Sequence, residues 1–268
     1  ADIVVPGAVS AFCLTEAQGG SDAGNSKTTA VKVGDEYVIN GVKTFITNGG
    51  IASVYTVFAM TDKEKGVKGM SAFLVERDRP GVSVGAEENK MGIRTAMVSD
   101  MILDNVRVPA ENMIAKPGEG FKLAMKTLDG GRIGVGAQGL GIAEGAYEIA
   151  RQYLMQRQQF GKPLNKQQYL AFKMAELQTK IQAAELLLYK AAMDKEEGRP
   201  YTTSAAMAKM TCTNVAMEVT TEAVQMLGGN GYMKDYHVER MMRDAKITQI
   251  YEGTNEIQKL VISGQLFR

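Results

Sequence analysis

The apolar pattern of this sequence changes period once, near Pro109, and that change confines the chain to a β part followed by a helical part. Before it come β-branched and aromatic runs: Val31-Lys32-Val33, Glu36 to Ile39, Val42 to Thr47, Val54 to Met60, Ser71 to Val75, Val82 to Val84 and Met97 to Val108. Turn residues separate them at short intervals, which predicts a small antiparallel barrel or sandwich. Asn40-Gly41 predicts a two-residue hairpin between the second and third runs.

Beyond the change, Leu170, Met174, Leu177, Ile181, Ala184 and Leu188 alternate steps of four and three, as do Ala206, Met210, Thr213, Met217, Thr220, Val224 and Leu227. These are seams of packed helices. A glycine-tolerant helix is expected from about Phe121 to Arg157, stopped by Gly161 and Pro163, and a last helix after Thr254. The expected fold is α+β and multidomain. It has an antiparallel β-barrel or sandwich over residues 1–112 and an antiparallel helix bundle over 113–268. The boundary falls where Pro and Gly cluster, at 109–120. The 17 methionines lie mostly at helical spacing, as core filling, with a soft binding surface as the second reading.

Composition narrows the chemistry. The 268 residues are 45% apolar, enough for a sizeable core, and 31 basic against 30 acidic residues leave a net charge of +1. That balance offers no long-range field for nucleic acid or an acidic membrane. No signal peptide, long apolar span or lipidation motif is present, and a cytoplasmic, bacterial-type location is expected (mitochondrial matrix if eukaryotic). Cys13 and Cys212 are far apart and read as buried reduced thiols. With His237 as the only histidine, neither a His/Cys zinc site nor a Ser-His-Asp triad is supported; no metal is expected. The acid/base group is then a carboxylate, or the chemistry belongs to a cofactor.

Gly134-Val135-Gly136-Ala137-Gln138-Gly139 matches G-x-G-x-x-G, but a helical segment precedes it and no acidic residue follows about twenty positions on. Small residues that let two helices approach explain it better. Three other segments draw interest. Phe12 to Asp22 runs from a strand into a Gly-Ser-Asp turn rich in backbone N–H groups, and Phe45 to Gly50 is a second such turn; each can be read as an ordinary turn or a ligand loop. In Ile250 to Ile257, Thr254 is placed to cap a helix and Glu256 falls in its first turn. Glu252 lies just outside, beside Gly253, readable as a solvated loop glutamate or as a positioned one.

Taken in order, these pieces resemble the acyl-CoA dehydrogenase family. The matches are Phe-Cys-Leu-Thr-Glu at 12–16, Gly-Ser-Asp at 20–22, Phe-Ile-Thr-Asn-Gly-Gly at 45–50, Leu-Asp-Gly-Gly-Arg at 128–132 and Arg-Gln-Gln-Phe-Gly-Lys-Pro at 157–163. Gln-Met-Leu-Gly-Gly-Asn-Gly-Tyr at 225–232, Arg-Met-Met-Arg-Asp-Ala-Lys-Ile at 240–247 and Ile-Tyr-Glu-Gly-Thr at 250–254 complete the set. The likeness is greatest to short-chain, butyryl-CoA-type members.

The resemblance implies a β domain followed by a four-helix bundle, assembled as a homotetramer, with FAD as cofactor. It places Phe12, Leu14, Thr15, Ser21, Phe45, Ile46 and Thr47 along the flavin. It places Arg157, Phe160, Gln168, Gln225, Leu227, Gly228 and Gly229 at the nucleotide half, partly across a subunit interface, with Thr254 and Glu256 also touching FAD. Ser21, Asp129, Arg132 and Gly253 would contact the acyl-CoA substrate. Glu252 matches the catalytic base. It would take the α proton while the β hydrogen passes as hydride to flavin N5, giving a trans-2-enoyl-CoA, and electrons would go to electron-transfer flavoprotein. Two other outcomes stay open at this point: an acyl-CoA oxidase, and a flavin- or CoA-binding module without turnover.

The sequence departs from the family pattern in three places. Phe45 stands where many members have Trp, so ring stacking is expected with less area. Ala17 replaces a common Pro, which loosens that turn. The family also begins with an all-helical domain, whereas this sequence starts at Ala1-Asp2-Ile3, inside the β part.

Overall fold

The structure is a computed structural model that describes residues 7–267; Ala1-Asp2-Ile3 lies outside them. Two compact units divide between Thr127 and Leu128, with the short segment Met91–Ile93 belonging to the second.

The first unit carries one eight-stranded sheet. Its strands are β1 (Ser10–Cys13), β2 (Thr29–Val33), β3 (Glu36–Thr47), β4 (Val54–Met60), β5 (Met70–Glu76), β6 (Val82–Glu87), β7 (Val98–Pro109) and β8 (Met113–Ile114). The order is β6-β7-β3-β2-β4-β5-β8, with β1 paired to β4. Contrary to expectation, the sheet is mixed. β1 runs parallel to β4, Ser10 opposite Val54, and β2 meets β4 in parallel at Thr29 opposite Met60. Runs read in sequence order suggest hairpin neighbours only. The loop after Cys13 instead lets β1 pair with a strand some forty residues on, and such non-local parallel contacts leave no turn signal behind.

The Asn40-Gly41 hairpin is also corrected. β3 passes unbroken through that pair, and the hairpin is one turn earlier, at Gly34-Asp35, where Val33 pairs with Glu36 and Gly34 has φ +62°. Asn40-Gly41 is an irregularity within the β3–β7 ladder. The Asn40 side chain accepts from the Asn105 N–H at 2.8 Å, and a Cβ on Gly41 would come within 2.4 Å of the Thr28 hydroxyl. A glycine here meets close packing rather than reversing the chain.

A second register shift in β3, between Lys43 and Ile46, decides what this strand displays. Tyr37, Ile39 and Lys43 face inward at odd positions; after the shift Ile46 faces inward while Phe45 and Thr47 are exposed. One extra residue swaps the faces of everything that follows. Phe45 takes up the bend with φ +56°. The core beneath includes Ile39, Tyr55, Val57, Phe73, Val75, Met101, Val106 and Val108.

The second unit is helical, with α1 (Gly120–Gln156) entering it at Leu128, then α2 (Gln168–Glu196), α3 (Thr202–Leu227), α4 (Val238–Thr248) and α5 (Asn255–Leu266). A short hairpin of β9 (Gln158–Gln159) and β10 (Lys162–Pro163) follows α1. Both predicted seams are present: Met174, Leu177, Ile181 and Ala184 of α2 are buried, as are Ala206, Thr213, Thr220 and Leu227 of α3. Helix α3 packs against α2, α4 and α5, and only Asn214, Thr221 and Gln225 of its last two-thirds are exposed.

The G-x-G-x-x-G stretch lies inside α1. A Cβ on Gly136 would sit 3.2 Å from Leu188, and one on Gly139 would sit 3.3 Å from Thr213. These glycines let α1 approach α2 and α3, as the small-residue reading expects. Cys13 and Cys212 are buried free thiols, each pushed up by burial to about 12. His237 is exposed and precedes α4 in a left-handed conformation. Among the described residues, no helix is long and apolar enough to cross a membrane.

Candidate active site

Helix α4 ends at Thr248, and the chain turns back to begin α5 at Asn255. The Asn255 N–H donates to the Gln249 carbonyl at 3.0 Å, which closes the turn. Thr254 caps α5 by accepting from the Ile257 N–H at 3.3 Å. At the apex, Glu252 has φ +57° and Gly253 has φ +86°. A left-handed backbone costs a residue with a Cβ roughly 1–2 kcal/mol, so the surroundings must hold Glu252 there.

Those surroundings come from α1, α3 and α5. The Glu252 carboxylate lies on the backbone of α1 at Gly131, where a Cβ would come 2.5 Å from Oε2. Next along α1, Arg132 is buried and donates to Asp129 at 2.6 Å, and Asp129 accepts from the Thr202 hydroxyl at 2.7 Å. From α3, the fully buried Lys209 donates to the Gly253 carbonyl and to Asn255 Oδ1, both at 2.9 Å. Gln258 of α5, also fully buried, donates to the Gly253 carbonyl at 2.7 Å. Tyr251 bonds through its hydroxyl to Gln138.

The electrostatics oppose one another. Burial pushes the Glu252 carboxyl up, while the positive charges of Arg132 and Lys209 pull it down; burial wins, and the net shift is upward. Lys209 is brought down to about 8 by burial, with the Arg132 charge adding to the fall. Among the described residues the Glu252 carboxylate accepts no hydrogen bond, and its backbone N–H has no acceptor. A half-buried carboxylate with raised basicity and an uncommitted N–H beside it can take a proton from carbon and steady the charge left behind.

The first unit holds a second set of residues. Phe12 packs on Phe58 with ring centroids 4.9 Å apart, and the Thr15 carbonyl accepts from the Thr44 N–H at 2.9 Å. The segment after Phe12 is therefore joined to the irregular end of β3. Leu14 and Ile46 are core side chains, so any contact they offer a ligand is through backbone. Phe45 is 67% exposed; Thr47 and Ser21 are exposed too.

A feature absent from the sequence reading holds this set together. Lys43, fully buried, donates to Glu16 at 2.7 Å and to the Leu14 carbonyl at 3.1 Å. Glu16 also accepts from Gln18, Ser26 and the N–H groups of Lys27 and Thr28. Burial would raise the Glu16 carboxyl, but Lys43 and these donors outweigh it and hold it at about 2. Glu16 is thus an ionised, fully engaged carboxylate, in contrast to Glu252.

In the second unit a groove of about 360 Å³ is lined by Arg157, Leu227, Gly228, Gly229 and Asn230, among others. A Cβ on Gly228 or Gly229 would meet nothing within 4 Å. Four of the residues expected at the nucleotide half of FAD meet here. Gln168 and Gln225 are exposed and do not line it. Phe160 sits at the tip of the β9–β10 hairpin, 93% exposed, with φ +54° and Gly161 at +76°. Glu256 is exposed on the first turn of α5. Open glycines, an arginine suited to pyrophosphate and uncovered aromatic rings suit a large nucleotide with a flat ring system, so these residues fit FAD.

The sequence matches the acyl-CoA dehydrogenase middle domain over residues 11–106 and the acyl-CoA dehydrogenase C-terminal domain over residues 118–267. The chain belongs to the acyl-CoA dehydrogenase family. A short-chain-specific acyl-CoA dehydrogenase of Clostridium acetobutylicum is 57% identical over 97% of this chain and 69% of its own length. The structure of butyryl-CoA dehydrogenase from Megasphaera elsdenii superposes with a TM-score of 0.96 at 55% identity, covering 97% of this chain and 68% of that one. A chain of the structure described as the electron transferring flavoprotein of Acidaminococcus fermentans gives 0.96 at 56% identity, covering 97% and 69%.

Sequence reasoning within this family missed Gly131, Lys209, Asn255 and Gln258 around Glu252. One signal was available. Gly130-Gly131 interrupts the middle of a helix, where glycine costs about 1 kcal/mol against alanine, so a packing or functional reason was due there.

Proposed function

We propose that this chain is the catalytic part of a FAD-dependent acyl-CoA dehydrogenase acting on short-chain acyl-CoA thioesters, with Glu252 as the base. The observation that carries this reading is the Glu252 carboxylate itself, half-buried on Gly131, free of hydrogen-bond donors and raised in basicity by burial. A solvated loop glutamate would be neither seated against a helix backbone nor raised by burial.

FAD, when bound, supplies the two-electron acceptor for oxidation of the Cα–Cβ bond. The residues that would hold it are Phe12, Leu14, Thr15, Ser21, Phe45, Ile46 and Thr47 in the first unit. In the second they are Arg157, Phe160, Gln168, Gln225, Leu227, Gly228, Gly229, Thr254 and Glu256. Phe45 would lay its exposed ring along the flavin, and Arg157 would neutralise pyrophosphate.

Glu252 takes the proton from the carbon next to the thioester. That proton is too weakly acidic for an ordinary carboxylate, and two features of this chain close the gap. Burial strengthens the base, and the uncommitted Glu252 N–H would donate to the thioester oxygen as enolate charge develops. Asp129, Arg132, Gly253 and Ser21 would meet the acyl-CoA. The product is a trans-2-enoyl-CoA. We further read electron-transfer flavoprotein as the acceptor, a homotetramer as the assembly, and the helices as a four-helix bundle of α1, α2, α3 and α5 with α4 packed on α3.

An anaerobic titration of the yellow protein with acyl-CoAs of several lengths tests the reading. Bleaching of the flavin band by butyryl-CoA is expected. A flavin-loaded protein that no acyl-CoA bleaches contradicts it, and peroxide formation in air would point to an oxidase.

A further inference from the structure

Lys209 occupies the middle of α3 with its side chain fully buried. Removing an ammonium from water is costly unless an opposite charge meets it. Lys209 forms no ion pair among the described residues. Its hydrogen-bond partners are neutral, the Gly253 carbonyl and Asn255 Oδ1; Arg132 is near enough to repel it, and Glu256 and Glu252 attract it from beyond hydrogen-bond contact. What the ammonium gains there is a hold on the backbone directly after Glu252.

That hold is one part of a network rooted in α3. Asn255 Oδ1 accepts from Lys209, while its amide donates to Thr213 Oγ1 at 3.0 Å and to Asn214 Oδ1 at 2.9 Å. Gln258 adds a second donor to the Gly253 carbonyl. Glu252 and Gly253 are consecutive left-handed residues, a conformation that local preference does not sustain for glutamate. The carbonyl that both donors grip is the one a relaxed turn would rotate away.

We propose that Lys209 is a positioning residue for the reaction: by gripping the Gly253 carbonyl and Asn255 it fixes the left-handed Glu252–Gly253 turn, and so keeps the Glu252 carboxylate on Gly131. The proposal rests on Glu252 being the base. Its charge acts as well. The charges that act on Glu252 are Arg132 from α1 and Lys209 from α3, with Tyr251 of the turn beside it; Asp129 in turn acts on Arg132, and Glu256 of α5 acts on Lys209. Losing the Lys209 cation therefore moves Glu252 further up in pKa, which removal of a neutral anchor does not.

The test compares Lys209→Met with Gln258→Met in the flavin-loaded protein. The readouts are kcat and KM for butyryl-CoA, the acidic limb of the pH profile of kcat/KM, and exchange of substrate α-hydrogens in D2O, which reports proton removal apart from net oxidation. Lys209→Met is expected to lose at least tenfold in kcat and in α-exchange, with KM within threefold. Its acidic limb should move to higher pH. Gln258→Met should lose kcat in the same direction with its acidic limb in place. A folded Lys209→Met with unchanged kcat and unchanged limb overturns the proposal. If Lys209→Met does not fold, Gln258→Met decides: unchanged kcat overturns the anchoring account, and lowered kcat at constant KM supports it. A Glu252→Gln protein still reduced by substrate would sink the reading of the base itself, a result separate from either lysine outcome.

Discussion

The carboxylate of Glu252 rests on the backbone of Gly131, so closely that a methyl group on Gly131 would come 2.5 Å from Oε2. Glycine in mid-helix is unfavourable by about 1 kcal/mol relative to alanine, and here it leaves the volume that the carboxylate fills. Gly131→Ala should therefore separate stability from activity. The clash is with the far end of a flexible side chain, so the fold is expected to keep its melting temperature or gain slightly. Butyryl-CoA oxidation should fall by about 1.4 kcal/mol or more, a factor of ten. Calorimetry and steady-state kinetics on one preparation check both halves.

The raised pKa of Glu252 has a sign in kinetics and another in stability. As a base it must be ionised, so kcat/KM should decline as pH falls through the raised value. For folding, burial favours the protonated form. That stability is fully present below the ordinary value of 4.5 and is lost as pH rises through the folded value. Glu252→Gln should consequently melt above the wild type at neutral pH, with the gap closing in acid. Paired melting curves across pH test this.

Glu16 behaves oppositely. Its carboxyl is held at about 2, so the stability it contributes is present above the ordinary 4.5 and is lost as pH falls through about 2. Truncating its partner leaves a buried charge unpaired. Lys43→Met is expected to destabilise the protein by about 3–5 kcal/mol at neutral pH, and the double variant Lys43→Met with Glu16→Leu by less than Lys43→Met alone. Urea unfolding of the three proteins measures the difference.

These two lysines mark the limit of what the sequence disclosed. The strand and helix periods were legible because apolar side chains repeat with the geometry that buries them, and α2 and α3 follow the predicted seams. Lysine, by contrast, reads as solvated wherever it stands. Glu16 lies 27 positions from Lys43, and Asn255 lies 46 positions from Lys209. Only the assembled fold brings them together. Asn40-Gly41 misled for another reason: the pair that favours a hairpin also tolerates a strand irregularity, and the contact that decides, Thr28 against Gly41, joins residues 13 positions apart along the chain. At Glu252 the capping threonine was visible, but the left-handed turn before it was not.

Arg157 is exposed and lines the groove at Gly228 and Gly229. If this groove takes the pyrophosphate of FAD, Arg157→Ala should weaken FAD retention by about 1.5–3 kcal/mol, the range for a hydrogen bond to a charged group. Equilibrium dialysis of FAD against the apoprotein gives the affinity. Retention equal to that of the wild type would remove Arg157 from the cofactor site.

The role of Glu252 is tested most directly by mixing flavin-loaded Glu252→Gln protein with butyryl-CoA under anaerobic conditions in a stopped-flow spectrophotometer. Full flavin binding with reduction slowed by at least ~5 kcal/mol of barrier, several thousandfold, is the predicted result. Flavin reduction at the wild-type rate would contradict it.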